Sequence, residues 1–445
     1  AAAKDAGVAL DYYLHGVPVN GKTFAGFKRN RDIPYVGEFD LKQTVEDYRA
    51  VIVDGIPDPA VRQEKVFCGG HSLGGFLTGA LMAWDFDGDP ATTADAGYKL
   101  CHASIALDTV VTAGGQALED NPTLSPALKS ASSFAYTSVT NWVRSNLRSV
   151  DFGVIGPETM TTLEGVGLNA QIAPDADIAA LMGKLPRGGA SETALRLFHS
   201  RTLLDAVAPD TKLRVQHLSG EALLGAMMDD NSQPLAFIQT SFGTFDHGPV
   251  APKQFPLSGR ALMFPTDDTT PYGWANYNET LPNLLRPSGV PYSSPESEVS
   301  DVQDVARVLH EGLGFIEAYF PTRITTDVGF AQAGSRDGDL RHIRYVDAPR
   351  TLPRITIQGK EGIGVMPPQP AIGGVANEHI VLPGYNHLDL IMAAPVQRGG
   401  VPEPTAAAVA RFMLEQSGRG PTPTVALRSG KASAQTVARR LRAAR

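Results

Sequence analysis

The chain is poor in the residues that would place it in several large classes of protein. It has two cysteines among 445 residues, no C-x-x-C pair and no evident cluster of histidine, cysteine and aspartate, so we predict no metal. No apolar run approaches the ~18–20 residues that cross a bilayer, so we expect neither a transmembrane segment nor a signal peptide. Acidic residues outnumber basic ones, 47 to 39, and the net charge of −8 argues against a nucleic acid as partner.

What is present describes an ordinary globular protein with a large core. Apolar residues make up 42% of the chain and charged residues 19%. The two cysteines, Cys68 and Cys101, each lie in or beside a stretch that we predict to be a buried strand. We expect them to be small apolar thiols rather than a disulfide, which leaves the cellular compartment open.

The most informative stretch is the motif G-H-S-L-G at positions 70–74, directly behind an apolar run. A turn this tight between a strand and a helix tolerates almost no side chain two residues before or after the serine, and Gly70 and Gly74 meet that demand. We predict a strand over 65–68, a helix over 76–84 and Ser72 as a nucleophile between them. The backbone N–H of Leu73, at the start of that helix, is placed to receive an oxyanion.

With this context the motif resembles the α/β-hydrolase superfamily, specifically its lipase and esterase branch. The resemblance implies an α/β fold with a mostly parallel sheet and a general base that follows the nucleophile in the chain, in the loop after the last strand. His387 fits that position, because a strand-like run over 378–382 and a Pro-Gly break precede it and a helical stretch, 405–416, follows. His71 lies inside the elbow and His379 inside the strand. Solvated or hydrogen-bonded side chains are the expectation for the histidines that lack this context: His102, His199, His217, His247, His310 and His342.

Two positions qualify as the acid that orients His387. Asp108 ends a predicted strand over 103–107, and it resembles the acid of lipases in which that residue follows the strand after the nucleophile. Glu361 lies beyond a later predicted strand, 354–358, near the commoner hydrolase position, but two residues past its glycine instead of the usual three. We favour Asp108 and keep Glu361 as the alternative.

The spacing of these elements predicts four parts. Residues 1–109 hold the first part of the hydrolase core, 351–416 its last strands and the histidine loop, and 417–445 a basic C-terminal extension. Residues 110–350 form a large, mainly helical cap inserted between strands 6 and 7 of the fold. Within it we predict a helix over 300–319 that begins with a capping box of Ser300 and Gln303. The aromatic side chains of 264–277 are expected to pack in the core of the cap, with an acyl pocket as the alternative.

The region before the elbow is short of strands. An amphipathic helix is predicted over 39–53, and a single strand candidate, 8–14, precedes it. In one interpretation His15-Gly16 ends the third strand of the fold and supplies the second oxyanion donor. In the other, which we favour, residues 9–13 are the end of a helix, Ala1 follows the fourth strand, and an N-terminal segment or companion chain completes the sheet and the oxyanion hole. This arrangement is similar to that of large, mostly uncharacterised bacterial hydrolases with an extended cap.

We therefore expect a serine hydrolase that cleaves carboxylic esters through an acyl-enzyme on Ser72, acts on a hydrophobic ester or acyl substrate, and needs no cofactor. The alternatives are an acyltransferase with the same triad and a catalytically silent hydrolase fold that serves as an assembly or binding subunit. The C-terminal extension holds basic residues and no acidic ones, so contact with an anionic membrane surface is possible, and a solvated extension is favoured. Its basic residues are Arg419, Arg428, Lys431, Arg439, Arg440, Arg442 and Arg445.

Overall fold

A computed structural model describes residues 5–89, 91–118, 120–151, 155–185, 187–255, 262–280, 297–311 and 319–418. The helices are α1 (Ala6–His15), α2 (Leu41–Gly55), α3 (Pro59–Lys65), α4 (Leu73–Ala83), α5 (Pro126–Asn146), α6 (Pro157–Ile172), α7 (Ala179–Gly183), α8 (Gly189–Phe198), α9 (Leu203–Val207), α10 (Gly220–Met228), α11 (Val302–His310), α12 (Thr322–Gln332), α13 (Asp389–Met392) and α14 (Pro404–Gln416). The strands are β1 (Phe67–His71), β2 (Ala103–Leu107), β3 (Gly243–Asp246), β4 (Val250–Pro252), β5 (Met263–Pro265), β6 (Gly273–Asn276), β7 (Arg354–Gly359), β8 (Asn377–Leu382), β9 (Val396–Gln397) and β10 (Val401–Pro402).

The centre of the fold is a parallel sheet in the order β1-β2-β7-β8. The expected α/β class with a parallel sheet is therefore confirmed for the described residues. Helix α4 returns along this sheet and packs very closely on the segment after β2, since a Cβ at Gly79 would lie 2.1 Å from the carbonyl oxygen of Thr112. The small residues of the elbow helix are what allow this approach.

The predicted strand candidate over 8–14 is wrong, and the favoured interpretation of this stretch as a helix end is confirmed. Residues 6–15 form α1, capped at its start by the Asp5 carboxylate, which accepts a hydrogen bond from Val8 N–H. Gly16 ends the helix at φ +66°, a left-handed conformation that suits glycine. Leu10 of this helix is buried in the same apolar cluster as Leu163 of α6. The beginning of the chain thus packs on the inserted region.

The amphipathic helix predicted over 39–53 is α2, shifted by two residues at each end. Asp40 caps it by accepting a hydrogen bond from Gln43 N–H at 2.9 Å. Leu41, Val45 and Ile52 are buried in a cluster with the apolar face of α4. The apolar spacing alone was enough to predict this face, because it repeats with the period of a helix.

The expectation that the two cysteines are free thiols is wrong. Cys68 of β1 and Cys101, two residues before β2, form a disulfide. The register explains why they meet: Cys68 pairs with Ser104 in the parallel ladder, and the chain that enters β2 passes beside the start of β1. The two cysteines are 33 positions apart, and the sequence around each one does not show that their strands pair. The sequence pattern alone therefore favoured two separate buried thiols.

The long segment between β2 and β7 is mainly helical, α5 to α12, and contains two antiparallel pairs, β3–β6 and β4–β5. Aromatic residues of 264–277 are buried in its core: Phe264, Tyr272, Trp274 and Tyr277 are at most 9% exposed. The expectation that they pack in the core of the cap is confirmed. Trp274 packs edge-on against Phe245 and donates its indole N–H to the carbonyl of Phe242.

The helix predicted over 300–319 is present only as the shorter α11, which starts two residues later, at Val302, and ends nine residues earlier, at His310. Asp301 is its N-cap and accepts from the N–H groups of Gln303 and Asp304, so the predicted capping box of Ser300 and Gln303 is wrong. The Ser300 hydroxyl instead donates to Asp389 at 2.6 Å. The predicted apolar face is buried at Val302, Val305 and Leu309, whereas Ile316 lies outside the described residues.

Two further expectations concern membranes. None of the described helices is long and apolar enough to span a bilayer. The basic residues of the C-terminal extension, on which contact with a membrane surface depended, lie outside the described part of the chain.

Candidate functional site

Ser72 occupies a sharp turn between β1 and α4. Its backbone is at φ +54° and ψ −124°, a conformation that costs a non-glycine residue about 1–3 kcal/mol. A Cβ at Gly70 would lie 2.2 Å from the carbonyl carbon of Gly74, so only glycine fits two residues before the serine. The Ser72 N–H donates to the carbonyl of Leu107 on β2, which ties the turn to the neighbouring strand. The predicted elbow is thus present with its strain at Ser72, but the expectation that position 74 also demands glycine is wrong, because a Cβ at Gly74 would meet nothing within 4 Å.

Asp108 ends β2, the strand next to β1, and is completely buried. It also adopts a positive φ, +45°, which turns its carboxylate across the end of β7. There it accepts hydrogen bonds from the N–H groups of Gly359 at 3.0 Å and Ile363 at 3.2 Å. A Cβ at Gly362 would lie 2.4 Å from Oδ2 of Asp108. A glycine is therefore required beside this carboxylate.

The carboxylate of Asp108 also meets the predicted base. Nδ1 of His387 lies 2.6 Å from Oδ2 of Asp108, and the histidine is 2% exposed. Because an ionised carboxylate can only accept, Nδ1 carries the proton and Nε2 is left as the acceptor. That tautomer is the one a general base requires.

The loop that carries His387 is held by a second buried carboxylate. Asp389 accepts hydrogen bonds from Asn386 N–H at 2.7 Å, from Ser241 N–H at 3.0 Å and from the Ser300 hydroxyl. Burial raises the pKa of Asp389 to about 7. These bonds join the loop to the inserted region, so the cap helps to position the base. Sequence reasoning missed Asp389, because two of its partners, Ser241 and Ser300, are more than 80 residues away in the chain.

His71 links the nucleophile to the base, a role that the sequence did not suggest. Its ring lies 4.3 Å from that of His387, and its Nε2 is 2.8 Å from the carbonyl oxygen of His387. Burial, followed by the neighbouring imidazole of His387, lowers the pKa of His71 to about 4. The ring is therefore neutral near pH 7 and donates Nε2–H to that carbonyl. His71 directly precedes Ser72, so this bond brings the base loop to the elbow.

The alternative acid, Glu361, takes a different place. Its backbone N–H donates to the carbonyl of Tyr385 at 3.0 Å, at the foot of the histidine loop. The carboxylate that contacts the imidazole of His387 belongs to Asp108. The preference for Asp108 over Glu361 thus agrees with the geometry.

Of the two expected oxyanion donors, only the Leu73 N–H lies at the candidate site among the described residues. Leu73 is the first residue of α4, where an N–H has no acceptor within the helix. His15 and Gly16 do not form the strand end that the first interpretation required. They end α1, where the His15 ring bonds the carbonyl of Lys184 and the Gly16 N–H donates to Asp11. The second donor is therefore not in the His15-Gly16 region.

Most of the histidines that were expected to be solvated or hydrogen-bonded side chains form hydrogen bonds in the structure. His102 lies between the carbonyls of Gln63 and Gln416, and His342 contacts the carbonyl of Asp85. His199 is buried against Gln216, and burial lowers the pKa of His199 to about 3. His379 on β8 contacts the side chain of Gln358 at 3.0 Å.

We predicted no metal because the sequence shows no C-x-x-C pair and no evident cluster of histidine, cysteine and aspartate, but the fold gathers two groups of acidic residues. Folding brings together Asp85, Asp87 and Asp95 in one group and Asp229, Asp230 and Glu298 in another. Both groups have other partners: Arg344 pairs with Asp85 at 3.0 Å, and the Gly243 N–H donates to Glu298 at 2.8 Å. The second group unites residues far apart in the chain, which no spacing rule detects.

A mainly apolar cavity of about 360 Å³ lies between the end of β2, α13 and α14, and none of Ser72, Asp108 and His387 lines it. It reaches Leu107, the residue before Asp108, and Asp389, two residues after His387. The rest of its lining includes Leu390, Ile391, Pro395 and Val409.

Comparison of this chain with protein families, with curated proteins and with solved structures finds no match in any of the three. The functional argument therefore depends on the geometry alone.

Proposed function

We propose that this chain is a serine hydrolase of the α/β-hydrolase, lipase and esterase type that cleaves carboxylic esters. The observation that carries the proposal is the juxtaposition at the carboxyl ends of β1 and β2: a strained serine on a strand-to-helix turn, and on the next strand a buried aspartate bonded to a histidine. Strain at a serine is retained where the surrounding structure enforces it, and such sites are often functional. Each residue has the chemistry that its role in an acyl transfer requires.

The reaction follows from these roles. Nε2 of His387 accepts the proton of the Ser72 hydroxyl while Oγ bonds to the ester carbonyl carbon, and the carbonyl oxygen becomes an oxyanion near Leu73 N–H. Asp108 keeps Nδ1 protonated and stabilises the imidazolium. His387 then protonates the leaving alkoxide, and the alcohol departs from an acyl-serine. Water, activated by His387, attacks the acyl carbon; the acid leaves and the serine recovers its proton.

An acyltransferase would use the same groups and replace water with an alcohol as acceptor. We favour hydrolysis, because nothing in the described residues marks a second acceptor site. A silent binding subunit is the less favoured alternative, because the chain bears the cost of a strained Ser72 and a buried Asp108–His387 pair.

Labelling with a fluorophosphonate probe tests the proposal directly. Wild-type protein should be labelled on Ser72, and Ser72→Ala should lose labelling together with about 10⁴–10⁶-fold of its turnover of p-nitrophenyl esters. The matched control is Ser417→Ala, which changes a serine just after α14 and should leave both unchanged. Labelling that persists in Ser72→Ala would place the nucleophile elsewhere. The acyltransferase would be favoured if the wild-type protein is labelled but does not hydrolyse esters, and instead transfers the acyl group to added alcohols.

We propose that the cavity beside Leu107 receives an apolar acyl group. If it receives the acyl chain, turnover should rise from acetyl to medium-chain esters by at most about fourfold per methylene, since each buried methylene is worth about 0.8 kcal/mol. Ile391→Trp, at the cavity, should remove that rise, whereas Val396→Trp, an exposed position outside the lining, should keep it. A flat chain-length profile in the wild type would contradict this pocket.

A further inference from the structure

The loop that carries His387 is held from two sides. On the core side, Nδ1 of His387 meets Asp108, and the His387 carbonyl oxygen lies 2.8 Å from Nε2 of His71. On the other side lies residue segment 229–242 of the inserted region, which connects the end of α10 to the start of β3. The histidine itself contacts the core, and its neighbours in the loop contact the inserted region.

Ser241 of this segment bonds the loop before and after His387. Its hydroxyl donates to the carbonyl of Gly384 at 3.1 Å, and its N–H donates to the carboxylate of Asp389 at 3.0 Å. Its own carbonyl accepts from the N–H groups of residues 299 and 300 at 2.9 and 2.8 Å. Ser241 is therefore anchored within the inserted region, and it binds the loop at two points.

Asn386, the residue directly before His387, provides a third point of contact. Its side chain is completely buried, and its Nδ2 donates to the carboxylate of Asp230 at 3.0 Å and to the hydroxyl oxygen of Ser241 at 2.6 Å. An ionised carboxylate can only accept, and the Ser241 hydroxyl already donates to Gly384. The orientation of the amide is therefore fixed, because a flip would lose both bonds.

Asp230 gives this amide a strongly negative neighbourhood. One carboxylate oxygen from each of Asp229, Asp230 and Glu298 lies within 4.8 Å of the other two. Burial, followed by the neighbouring carboxylates of Glu298 and Asp230, raises the pKa of Asp229. A buried group of like charges destabilises a fold unless donors compensate it. The Asn386 amide is such a donor, whereas a carboxylate at position 386 would repel Asp230.

We propose that Asn386 is a positioning residue, which holds the backbone before His387 against Asp230 and Ser241 and so places the imidazole for proton transfer. The bonds lie on both sides of the histidine, so they fix the piece of chain from which its ring extends. A displacement of about 1 Å in a reacting group can cost about 100-fold in rate. This inference rests on the proposed function, since a base requires such placement only if it transfers a proton.

A reciprocal exchange of the two side chains tests this role. Asn386→Asp should lower kcat for p-nitrophenyl esters by about 10²–10³-fold and change KM by less than about threefold, because two carboxylates would then face each other beside the base loop. Asp230→Asn should cost less than about fivefold, since the new amide can turn its oxygen toward Asn386. The two changes combined should recover at least about tenfold of kcat over Asn386→Asp, because donor and acceptor only exchange places.

Proton NMR gives a readout that a loss of stability alone does not move. The Nδ1 proton of His387, held at 2.6 Å from Asp108, should resonate far downfield of the backbone amide protons. Asn386→Asp should shift or broaden this resonance, and the exchanged pair should restore it. The matched control is Asn146→Asp, which changes an exposed amide on α5 and should leave the resonance and kcat as they are.

A second variant pair covers the case in which thermal unfolding shows that Asn386→Asp does not fold. Ser241→Ala removes the hydroxyl that bonds Gly384 and Asn386, so it should shift the resonance and lower kcat about tenfold. Ser232→Ala, in the same segment, should do neither.

The outcomes separate this inference from the proposed function. A folded Asn386→Asp variant with wild-type kcat and an unshifted resonance would overturn the positioning role. Losses that simply add in the exchanged pair would overturn it too, as would an unchanged resonance in Ser241→Ala. The resonance is observed without substrate. A wild type that hydrolyses no ester, but whose resonance responds to Asn386→Asp and to the exchange as described, would reject the proposed function and keep the placement of His387 by Asn386.

Discussion

The two halves of the candidate site lie at the carboxyl ends of neighbouring strands of one sheet and differ in how completely the described residues enclose them. On the base side, Asp108 and His387 are at most 2% exposed, and backbone donors from the loop after β7 hold the carboxylate. On the nucleophile side, Ser72 follows an edge strand whose outer groups meet a single tyrosine hydroxyl. In the proposed enzyme, the described residues hold the two groups that would transfer the proton, whereas they offer one placed donor for the oxyanion, the Leu73 N–H.

The largest expected effect tests the base side. Asp108→Asn should lower ester turnover by about 10⁴-fold, because an amide in this position favours the wrong tautomer of His387. Glu361→Gln is the matched control and should change turnover by less than about twofold, since Glu361 does not hold the imidazole. Turnover of p-nitrophenyl esters and a thermal unfolding curve are measured on both variants. The reverse pattern would make Glu361 the acid.

The next prediction concerns the disulfide on the nucleophile side of the site. Cys68 is four residues before Ser72, and the bond closes a segment of 33 residues. The chain-entropy relation gives a loss of about 3–4 kcal/mol in the free energy of unfolding when it is removed. Urea unfolding of Cys68→Ala/Cys101→Ala should show that loss. Adding a reductant should lower the stability of the wild type and leave the double variant unchanged; an indifferent wild type would mean that the two thiols are free.

A smaller effect on stability is expected from His71, whose ring contacts His387 and so joins the two halves of the site. The pKa of His71 is about 4 in the folded chain, compared with about 6.5 for an unfolded histidine. Between these values the unfolded chain binds more protons, so stability falls as the pH falls from about 6.5 to about 4. We expect a loss of about 1–2 kcal/mol between pH 7 and pH 5, allowing for partial exposure of the ring.

Urea unfolding at several pH values checks this slope. His71→Gln should flatten it in this window, and His247→Gln, at an exposed position, should not. Buried His199, whose pKa is about 3, adds a slope of the same sign that both variants retain. An unchanged slope in His71→Gln would show that the ring is not buried against His387.

The smallest expected effect concerns the outer edge of β1. Tyr48→Phe removes one hydroxyl with two long hydrogen bonds to Gly69, so the chain should lose about 0.5–1 kcal/mol of stability. Tyr35→Phe, at a position 63% exposed, is the control and should be neutral. Urea unfolding of both variants checks this. An unchanged stability of Tyr48→Phe would mean that the hydroxyl does not stabilise Gly69.

Local chemistry made part of the site predictable. Gly70 before Ser72 and the Pro-Gly break before His387 are short-range signals, because each reflects steric limits within a few adjacent residues. The apolar periodicity of α2 and α11 is equally local. Asp108 was preferred over Glu361 only by resemblance, and the decisive fact is its bond to Nδ1 of His387. That bond joins residues 279 positions apart.

The sequence by itself determined where a strained turn, a base loop and the helical faces would lie, since steric limits and hydrophobic period act over a few residues. Tertiary structure alone decided which distant groups meet. Strand register joined Cys68 to Cys101, the inserted region placed Ser241 and Ser300 on Asp389, and α1 packed on α6. The physical reason is that burial and pairing depend on neighbours in space, and β1 became an edge because of which strands stand beside it.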